Sequence, residues 1–525
     1  MSWHLSFYVV LLLALVVNRV LAYRSKLAQV QHLPGPRWPF GPVTLISLLL
    51  PSSSWNGGAM LAWYNRPTLY TNYGSDTIAI VPWLYGAPMM STRSVEVSKQ
   101  VLGFKSDWEK TPELVAALAM FGENLFSCYK DRWSRHRRIV QPGFTNKLYA
   151  QVWDESVRVY YDMIRSEGWA DKTSFEIPNV PAITSKIALY LIASCGFGLP
   201  LTWTDTVGEK VRGLTLAQCF ETSAGAVIPQ SILPRWMWNF PLSYFRRVKE
   251  ANLALESIVR RIIEKRRQEG PNPLAEANEK DVFSLLLNAN DAEKDTKAAL
   301  TDQELVANVF LLMLAGHAKA PPETTSRGLG STLGFLACNP YAQDKAYEEI
   351  MSVTGGVRDP TFEDYDSLPY TLGCFLEGTR LIPSVPSIPR QAAIDTSLKI
   401  PEKDGRTTTL PIRTGTVMVA DFMNISFNPE YYPSPEVYDP ARWLDPNMEP
   451  GINFSYGPRV CVGKKFALTE SLATLSMLLK DYKMEPILDA GETLADWRRR
   501  SLEENIEVSV GFGPGKFPVR LVKRI

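Results

Sequence analysis

The alternation of apolar and polar positions divides the chain into a short apolar N-terminal segment and a long globular body. Residues 5–17 are almost wholly apolar and are followed by Arg19, Arg24 and Lys26. A membrane-spanning helix needs about 20 apolar residues, a length that this run reaches only if Arg19 extends toward the membrane surface. We therefore predict a single-pass membrane anchor over residues 1–23, with its basic flank in the cytoplasm. A cleaved signal peptide is the alternative, although a basic n-region and a small-residue cleavage site are not recognisable.

Proline dominates the stretch that follows the anchor. Pro34, Pro36, Pro39 and Pro42 lack amide donors and fix the backbone angle φ, so this stretch is not expected to be helical. Together with the basic residues before it, the stretch predicts a basic and proline-rich hinge over residues 24–42. Residues 43–525 have the mixed pattern of a folded body, and we expect them to form one compact domain.

A second apolar segment is the strongest predicted helix inside the body. Thr301-Asp-Gln-Glu304 is a capping-box pattern that directly precedes an apolar run from residue 305 to residue 316. Because this helix is apolar on every side, we expect it to be buried. Pro321 and Pro322 follow closely, and consecutive prolines remove amide donors and clash with the preceding turn. We therefore expect the helix to break or bulge there.

Composition and charge narrow the classes of function. The chain has 525 residues, of which 45% are hydrophobic and 21% are charged, as is typical of a globular protein with a large core. Its formal net charge of +1 lacks the excess of Lys and Arg that binding to phosphate backbones requires, so we expect no nucleic-acid partner. The six cysteines are widely spaced and there are four histidines, which favours a single thiolate ligand over a zinc or polyhistidine site.

The main candidate chemistry lies in the stretch Phe454-Ser-Tyr-Gly457-Pro-Arg459-Val-Cys461-Val-Gly463. A cysteine binds metal as the thiolate, which positive charge and backbone N–H donors stabilise. Gly457 and Gly463 allow the backbone to lie close to a flat cofactor, and residues 464–479 are predicted to form a helix whose first amides point toward the sulfur. A small buried hydrophobic residue is the simpler interpretation of Cys461.

The order of Phe, Gly, Arg, Cys and Gly in this stretch resembles the signature of the cytochrome P-450 haem-thiolate monooxygenases, and the chain is most similar to the fungal microsomal type. The resemblance covers residues from about 30 to the end and implies a mainly α fold with a smaller β part, in which residues 43–525 are the catalytic domain. It also implies haem b (heme b, iron protoporphyrin) as cofactor, with Cys461 as the axial ligand of the iron. Phe454, Gly457 and Gly463 would then shape the cofactor site, and Arg390 and Arg459 would reach haem propionates.

Two further motifs match the same family in its order. Trp133 and Arg137 lie four residues apart, so they share one face of a predicted helix and suit a carboxylate, unless they belong to a solvated basic face. The resemblance assigns this pair to the haem propionates. Glu377 and Arg380 form an i,i+3 pair, and together with Arg442 they resemble the structural Glu-Arg-Arg network that holds the cysteine loop in the family.

One segment departs from the family pattern. Members commonly read Ala-Gly-x-Glu-Thr-Thr, whereas here residues 318–322 separate Ala315-Gly316-His317 from Glu323 and Thr324. In a continuous helix, five added residues would rotate Glu323 by about 140° and move it by about 7.5 Å. If they loop outward, Glu323 and Thr324 keep the catalytic roles that the resemblance implies, proton-relay acid and oxygen-orienting hydroxyl. The other interpretations are impaired proton delivery and a misjudged exon boundary, because deletion of residues 318–322 restores the pattern.

The resemblance also implies an activity and partners. It predicts a monooxygenase that inserts one oxygen atom of O2 into a lipophilic small-molecule substrate, for which we expect a terpenoid or related secondary metabolite, with electrons from an NADPH-cytochrome P-450 reductase. We expect this reductase to dock on a basic surface formed by Arg135, Arg138, Lys464 and Lys465. The anchor would lie in the endoplasmic reticulum membrane, with the catalytic domain facing the cytoplasm. Two alternatives stay open: a haem-thiolate isomerase or dehydratase that needs no reductase, and a catalytically impaired haem-binding membrane protein.

Overall fold

The computed structural model describes residues 2–42, 44–58, 60–104, 106–198, 201–204, 211–233, 235–269, 281–293, 296, 299–316, 324–402, 405–448, 452–508 and 511–524. The fold is mainly helical with a smaller share of strand, which confirms the fold class expected from the sequence. The α-helices are, in chain order, α1 Ser2–Gln29, α2 Leu45–Leu49, α3 Leu61–Tyr64, α4 Val95–Leu102, α5 Pro112–Leu118, α6 Lys130–Val140, α7 Asn146–Ser166, α8 Val180–Leu191, α9 Leu216–Gly225, α10 Val227–Ile232, α11 Ser243–Glu269, α12 Val282–Ala292, α13 Asp302–Gly316, α14 Thr324–Ala337, α15 Pro340–Thr354, α16 Pro369–Leu381, α17 Phe422–Ser426, α18 Lys464–Asp481 and α19 Leu494–Arg498. The strands are β1 Thr77–Ile80, β2 Met89–Thr92, β3 Trp108–Glu109, β4 Ser174–Ile177, β5 Ile388–Ala392, β6 Thr396–Pro401, β7 Thr407–Ile412, β8 Val417–Ala420, β9 Tyr482–Pro486, β10 Ile506–Val508, β11 Phe512–Pro514 and β12 Val519–Lys523.

The chain divides into two compact units, each assembled from segments that are distant in sequence. Unit 1 comprises Met1–Thr111, Pro386–Pro435 and Ser455–Val460. Unit 2 comprises Pro112–Val385, Glu436–Phe454 and Cys461–Ile525. The stretch around the candidate cysteine therefore contributes residues to both units.

Unit 1 begins with helix α1, which continues past residue 23, where we predicted the anchor to end. Its segment Phe7–Gln29 is long and apolar enough to cross a membrane, by length and composition. Large apolar side chains along it are exposed, as expected for a helix that packs against lipid. Lys26 donates a hydrogen bond to the carbonyl of Pro82 (3.0 Å), so the basic end of the helix contacts the globular part of the unit.

A mixed five-stranded sheet forms the centre of unit 1, in the order β1-β2-β8-β5-β3. Strand β2 runs parallel to β8, with Met90 opposite Met418, and the other pairs are antiparallel. Ala79, Met90 and Met418 from this sheet are fully buried in one cluster with Val97 of α4. Strands β1 and β2 are buried at every position, so both faces of this part of the sheet lie in the interior.

Helix α13 lies in the core of unit 2, as its apolar sequence predicts. Leu305, Val306 and Phe310 are buried in one cluster with residues of α6, α11 and α12. The predicted capping box is confirmed: the Thr301 hydroxyl accepts from the Glu304 amide (3.3 Å), and the Glu304 carboxylate accepts from the Thr301 amide (2.8 Å). These two hydrogen bonds define the start of helix α13 and provide partners for backbone amides at its N-terminus.

Helix α18 follows the candidate cysteine and is buried along most of its length. It contacts α7, α15 and α16, and it begins at Lys464, as predicted. Helix α14 packs against α8 and α16. The sheet β4-β12-β9 and the hairpin β10-β11 complete the strands of unit 2.

Candidate functional site

The Cys461 thiol lies at the start of α18, where backbone contacts fix its position. The Cys461 amide donates to the carbonyl of Phe454 (2.9 Å), and Gly463 is the N-cap residue of the helix. The side chain is accessible to solvent but lies in a recess of the protein, and loss of hydration there raises the pKa of the thiol. The Gly463 amide and the charges of Arg137 and Lys464 oppose this effect and favour the thiolate. The protein thus partly offsets the cost of a thiolate in this recess, and a bound cation would complete the deprotonation.

The space beside the sulfur is open. Gly463 has an ordinary negative φ, and a Cβ atom built on it would have as its nearest neighbour the Cys461 sulfur, at 4.0 Å. The chain itself therefore does not require glycine here through strain or a clash. An accessible thiol next to space that a side chain would otherwise fill fits a flat cofactor ligated by sulfur, as haem is.

Trp133 and Arg137 lie on one face of α6 and line the same open pocket of 560 Å³, together with Phe144. The Nε atom of Arg137 donates to Gln141 (2.9 Å). Burial lowers the pKa of Arg137, while the nearby Cys461 opposes this change. An indole and a guanidinium at one opening can donate hydrogen bonds to a carboxylate, as the spacing in the sequence predicts.

Arg390 and Arg459 form a separate group of cations in unit 1. Arg390 lies on β5 and is buried, and this burial, followed by the charge of Arg459, lowers its pKa to about 10. Two guanidinium groups held near each other attract an anion, because each raises the cost of the other's charge. Their chemistry is compatible with the propionate role that the family resemblance implies for them.

Gly457 is required by the backbone of unit 1. Its φ is +74°, in the left-handed region, and a Cβ atom would lie 2.3 Å from the carbonyl oxygen of Leu102. The following turn closes through a hydrogen bond from the Val460 amide to the Gly457 carbonyl (3.2 Å). This glycine therefore sets the path of the loop that leads to the cysteine.

The predicted Glu-Arg-Arg network is present and buried in unit 2. Glu377 accepts two hydrogen bonds from Arg380 (2.8 and 2.9 Å) and one from Nε of Arg442 (3.0 Å). The Trp443 indole and the Asp439 amide also donate to the same carboxylate, each at 3.0 Å. The sequence indicated the three charged residues but not the two additional donors. A carboxylate with this many donors holds the segment around residue 440 firmly against α16.

Thr324 is the first residue of α14, and its side chain is exposed. Ala315 and Gly316 are the last residues of α13. Glu323 and residues 318–322 lie outside the described residues, so their predicted roles stay predictions.

The residues of the predicted basic surface differ from one another in exposure and in the groups that they contact. Arg135 is largely buried and forms an ion pair with Glu304, whereas Arg138 is 67% exposed and pairs with Glu293 (2.6 Å). The Lys465 ammonium lies over the ring of Tyr365, 3.1 Å from its centroid. Arg132, which was not part of the predicted basic surface, is 61% exposed on the same helix as Arg138.

His136 is a buried polar residue of α6 whose contacts the sequence did not indicate. Because the Leu125 amide donates to the side-chain oxygen of Asn308 (2.8 Å), the Asn308 nitrogen faces Nδ1 of His136 (2.8 Å). Nδ1 is therefore the acceptor, and the ring proton lies on Nε2, 3.5 Å from Glu304. Burial lowers the pKa of His136 and keeps it neutral. The signal in the sequence was a single histidine among arginines on a helix that faces α13.

Glu470 is a second buried polar residue that the sequence did not indicate. It lies on α18 and is 3% exposed, and burial raises the pKa of its carboxyl to about 8. Its Oε1 atom has no hydrogen-bond partner within the part of the chain that the structure describes. No sequence pattern signals this burial, because it depends on what packs around the helix.

Comparisons with known proteins agree with these features. A model of the cytochrome P450 family matches residues 79–498. The chain is 28% identical to cytochrome P450 monooxygenase 124 of Postia placenta, over 98% of both proteins. It is 29% identical to human cytochrome P450 4F12, over 70% of this chain and 69% of that protein. It is also 28% identical to the cyclooctat-9-en-7-ol 5-monooxygenase of Streptomyces melanosporofaciens, over 75% of this chain and 79% of that enzyme.

Proposed function

The chain belongs to the cytochrome P450 family, and from this premise we propose that it is a membrane-anchored monooxygenase that oxidises a lipophilic terpenoid or related secondary metabolite. As a member, it is an oxidoreductase with haem b as its cofactor. The observation that carries the proposal is the Cys461 thiol, which is accessible, lies next to open space at Gly463 and is followed directly by a buried helix.

Bound haem supplies the activation of O2 and the transfer of one oxygen atom to the substrate. Cys461 would hold the iron, and the Gly463 amide and Arg137 would limit the charge on its sulfur by a hydrogen bond and by proximity. Trp133 and Arg137 would donate to a propionate. We propose the same role for Arg390 and Arg459, whose mutual repulsion an anion would relieve.

We propose that Thr324, the first residue of α14, and Glu323, its neighbour in the sequence, manage protons and oxygen. The Thr324 hydroxyl is both a donor and an acceptor, so it can orient a polar ligand and pass on a proton. Glu323 precedes it in sequence and would supply that proton. Neither group has to form a covalent bond to substrate.

The substrate class is inferred from attachment and from relatives. The segment Phe7–Gln29 could anchor the enzyme in a membrane, where apolar molecules concentrate. One relative is named for oxidation of the alcohol cyclooctat-9-en-7-ol. We propose that the membrane is that of the endoplasmic reticulum and that the catalytic part faces the cytoplasm, as the basic flank of the anchor predicts.

The proposed redox partner is an NADPH-cytochrome P450 reductase with an acidic docking surface. Arg132 and Arg138 on α6 are exposed, and their ion pairs with Glu123 and Glu293 are surface pairs of low strength. An acidic partner can therefore replace the internal carboxylates. We expect the rate of reduction to fall as ionic strength rises, and a rate independent of salt would contradict this docking mode.

The decisive experiment compares two cysteine variants of the full-length, haem-supplied protein. Cys461→Ser should lose the carbon monoxide difference spectrum of a thiolate-ligated haem, whereas Cys338→Ser, at a half-buried cysteine, should keep it. Retention of the spectrum in Cys461→Ser would refute the assignment. Turnover of a terpenoid panel with NADPH and reductase then tests the activity, and conversion without any electron donor would indicate an isomerase or dehydratase. Sequencing the transcript across residues 310–330 and repeating the assay without residues 318–322 tests the insertion.

A further inference from the structure

Three hydrogen bonds connect the start of α14 to the C-terminal hairpin of unit 2. The Ser384 hydroxyl donates to the carbonyl oxygen of Thr324 (2.7 Å), and the Phe512 amide donates to the carbonyl oxygen of Ser384 (2.9 Å). One turn further along α14, Nη1 of Arg327 donates to the carbonyl of Gly513 (3.0 Å). Ser384 follows α16, so three separate segments of the chain meet at Thr324.

The contact between Arg327 and Gly513 leaves little space between the two residues. Arg327 is 2% exposed, and a Cβ atom on Gly513 would lie 2.8 Å from its Cδ atom. Only a residue without a side chain at position 513 leaves room for the stem of the arginine. Burying a guanidinium is costly unless it is well bonded, and this burial lowers the pKa of Arg327 to about 10. The hairpin therefore contacts Ser384 through Phe512 and α14 through Gly513.

The contact between Ser384 and Thr324 matters because the sequence just before α14 predicts little backbone hydrogen bonding that could hold the start of this helix. Pro321 and Pro322 lack amide donors, so they cannot contribute hydrogen bonds to a preceding helical turn. The Thr324 side chain is exposed, and packing around it does not fix the direction of its hydroxyl. Its backbone, in contrast, is held by a buried hydroxyl, since Ser384 is 9% exposed.

We propose that Ser384 is a positioning residue for the reaction, because it fixes the backbone of Thr324 to the hairpin β10-β11 and thereby fixes the position from which the Thr324 hydroxyl acts. This inference rests on the proposed function of Thr324. Ser384 acts through Thr324 and need not touch the substrate or the cofactor. Loss of its hydroxyl would loosen the start of α14, so that electrons are consumed without oxygen reaching the substrate.

The first test measures how firmly Ser384 holds the start of α14, without relying on enzyme activity. Hydrogen–deuterium exchange of the haem-loaded, full-length protein should become faster at the start of α14 in Ser384→Ala. Ser384→Thr, which keeps a hydroxyl, should restore protection. The matched control is Ser156→Ala, because the Ser156 hydroxyl is also buried and donates to a helix carbonyl (2.7 Å), but within α7. Unchanged exchange at the start of α14 in Ser384→Ala would overturn the proposal.

The second test measures coupling, the ratio of product formed to NADPH consumed. Loss of one neutral hydrogen bond should lower this ratio by about three- to tenfold in Ser384→Ala, with more hydrogen peroxide released and with KM and the carbon monoxide spectrum unchanged. The Thr324→Ala background separates the two hypotheses. If Thr324→Ala lowers coupling and Ser384→Ala lowers it no further, the proposal is supported. If the two effects multiply, Ser384 does not act through Thr324. If Thr324→Ala has no effect, the proposed function of Thr324 fails, and this inference fails with it.

Discussion

Replacing Glu470 by glutamine should stabilise the protein, and the gain should grow with pH. In the folded protein, burial raises the pKa of this carboxyl from its ordinary value of 4.5 to about 8. Between these values the unfolded chain releases the proton while the folded chain retains it, so the folded state binds more protons. Stability is therefore lost as pH rises from about 4.5 to about 8. Glutamine has nearly the same shape and no proton to lose, so it removes this dependence.

The magnitude follows from the two pKa values. Each unit of difference corresponds to about 1.4 kcal/mol, so the cost of keeping Glu470 protonated is about 1 kcal/mol at pH 5 and about 3 kcal/mol at pH 7. At pH 8 the cost reaches about 4 kcal/mol, and at higher pH it levels off at about 5 kcal/mol. Both side chains leave a polar group buried, so the difference between them is mainly this protonation cost.

The assay is the thermal midpoint of Glu470→Gln and of the parent protein at pH 5, 7 and 8 in the same detergent. The two midpoints should nearly coincide at pH 5 and separate progressively at higher pH, with the variant more stable. Glu264→Gln, at an exposed glutamate on α11, is the matched control and should follow the parent at every pH. A difference that stays constant with pH, or a variant that is less stable at pH 8, would refute the reasoning.

Three further predictions test the loop and its supports. Glu377→Gln leaves two buried guanidinium groups without their counter-charge, so it should lower the free energy of unfolding by roughly 3–5 kcal/mol and abolish haem incorporation. The control Glu348→Gln, at an exposed site on α15, should do neither, and normal haem content in Glu377→Gln would argue against the network. Gly457→Ala combines a positive φ with a clash, so its loss of thermal stability should exceed that of Gly74→Ala. Gly74 has a positive φ (+63°) but no atom within 4 Å of the added Cβ, so equal losses would mean that the close approach of residue 457 to the Leu102 carbonyl is unimportant. Arg390→Met removes a buried cation, so we expect the haem-free variant to be at least as stable as the haem-free parent. The haem-loaded variant should transfer its haem to apomyoglobin faster than the parent does, and an unchanged rate of transfer would count against a contact between Arg390 and a propionate.

Local features of the fold could be predicted from the sequence because their causes are local. The start of α18 at Lys464, the capping box at Thr301 and the pair Glu377 and Arg380 depend on residues within one or two helical turns. The same holds for the non-helical stretch after α1, where prolines decide the backbone.

The features that could not be predicted depend on residues far apart in the chain. Arg135 looked like a surface cation, but Glu304, 169 positions later, pairs with it. The contact between Ser384 and Thr324 spans 60 positions and involves a hydroxyl that no motif marks. Glu470 differs from an ordinary helical glutamate only in what packs around it, which hydrophobic periodicity does not reveal.

The parallel pairing of β2 with β8 has a consequence for biosynthesis. Strand β2 ends at Thr92, whereas β8 begins at Val417, so more than half of the polypeptide must leave the ribosome before the two strands meet. The emerging N-terminal part thus has an unpaired strand edge during most of translation, and such edges promote association between nascent chains. Slowing translation after residue 420, rather than before it, should therefore improve the yield of folded enzyme, because the last partner strand is then available while synthesis is still under way.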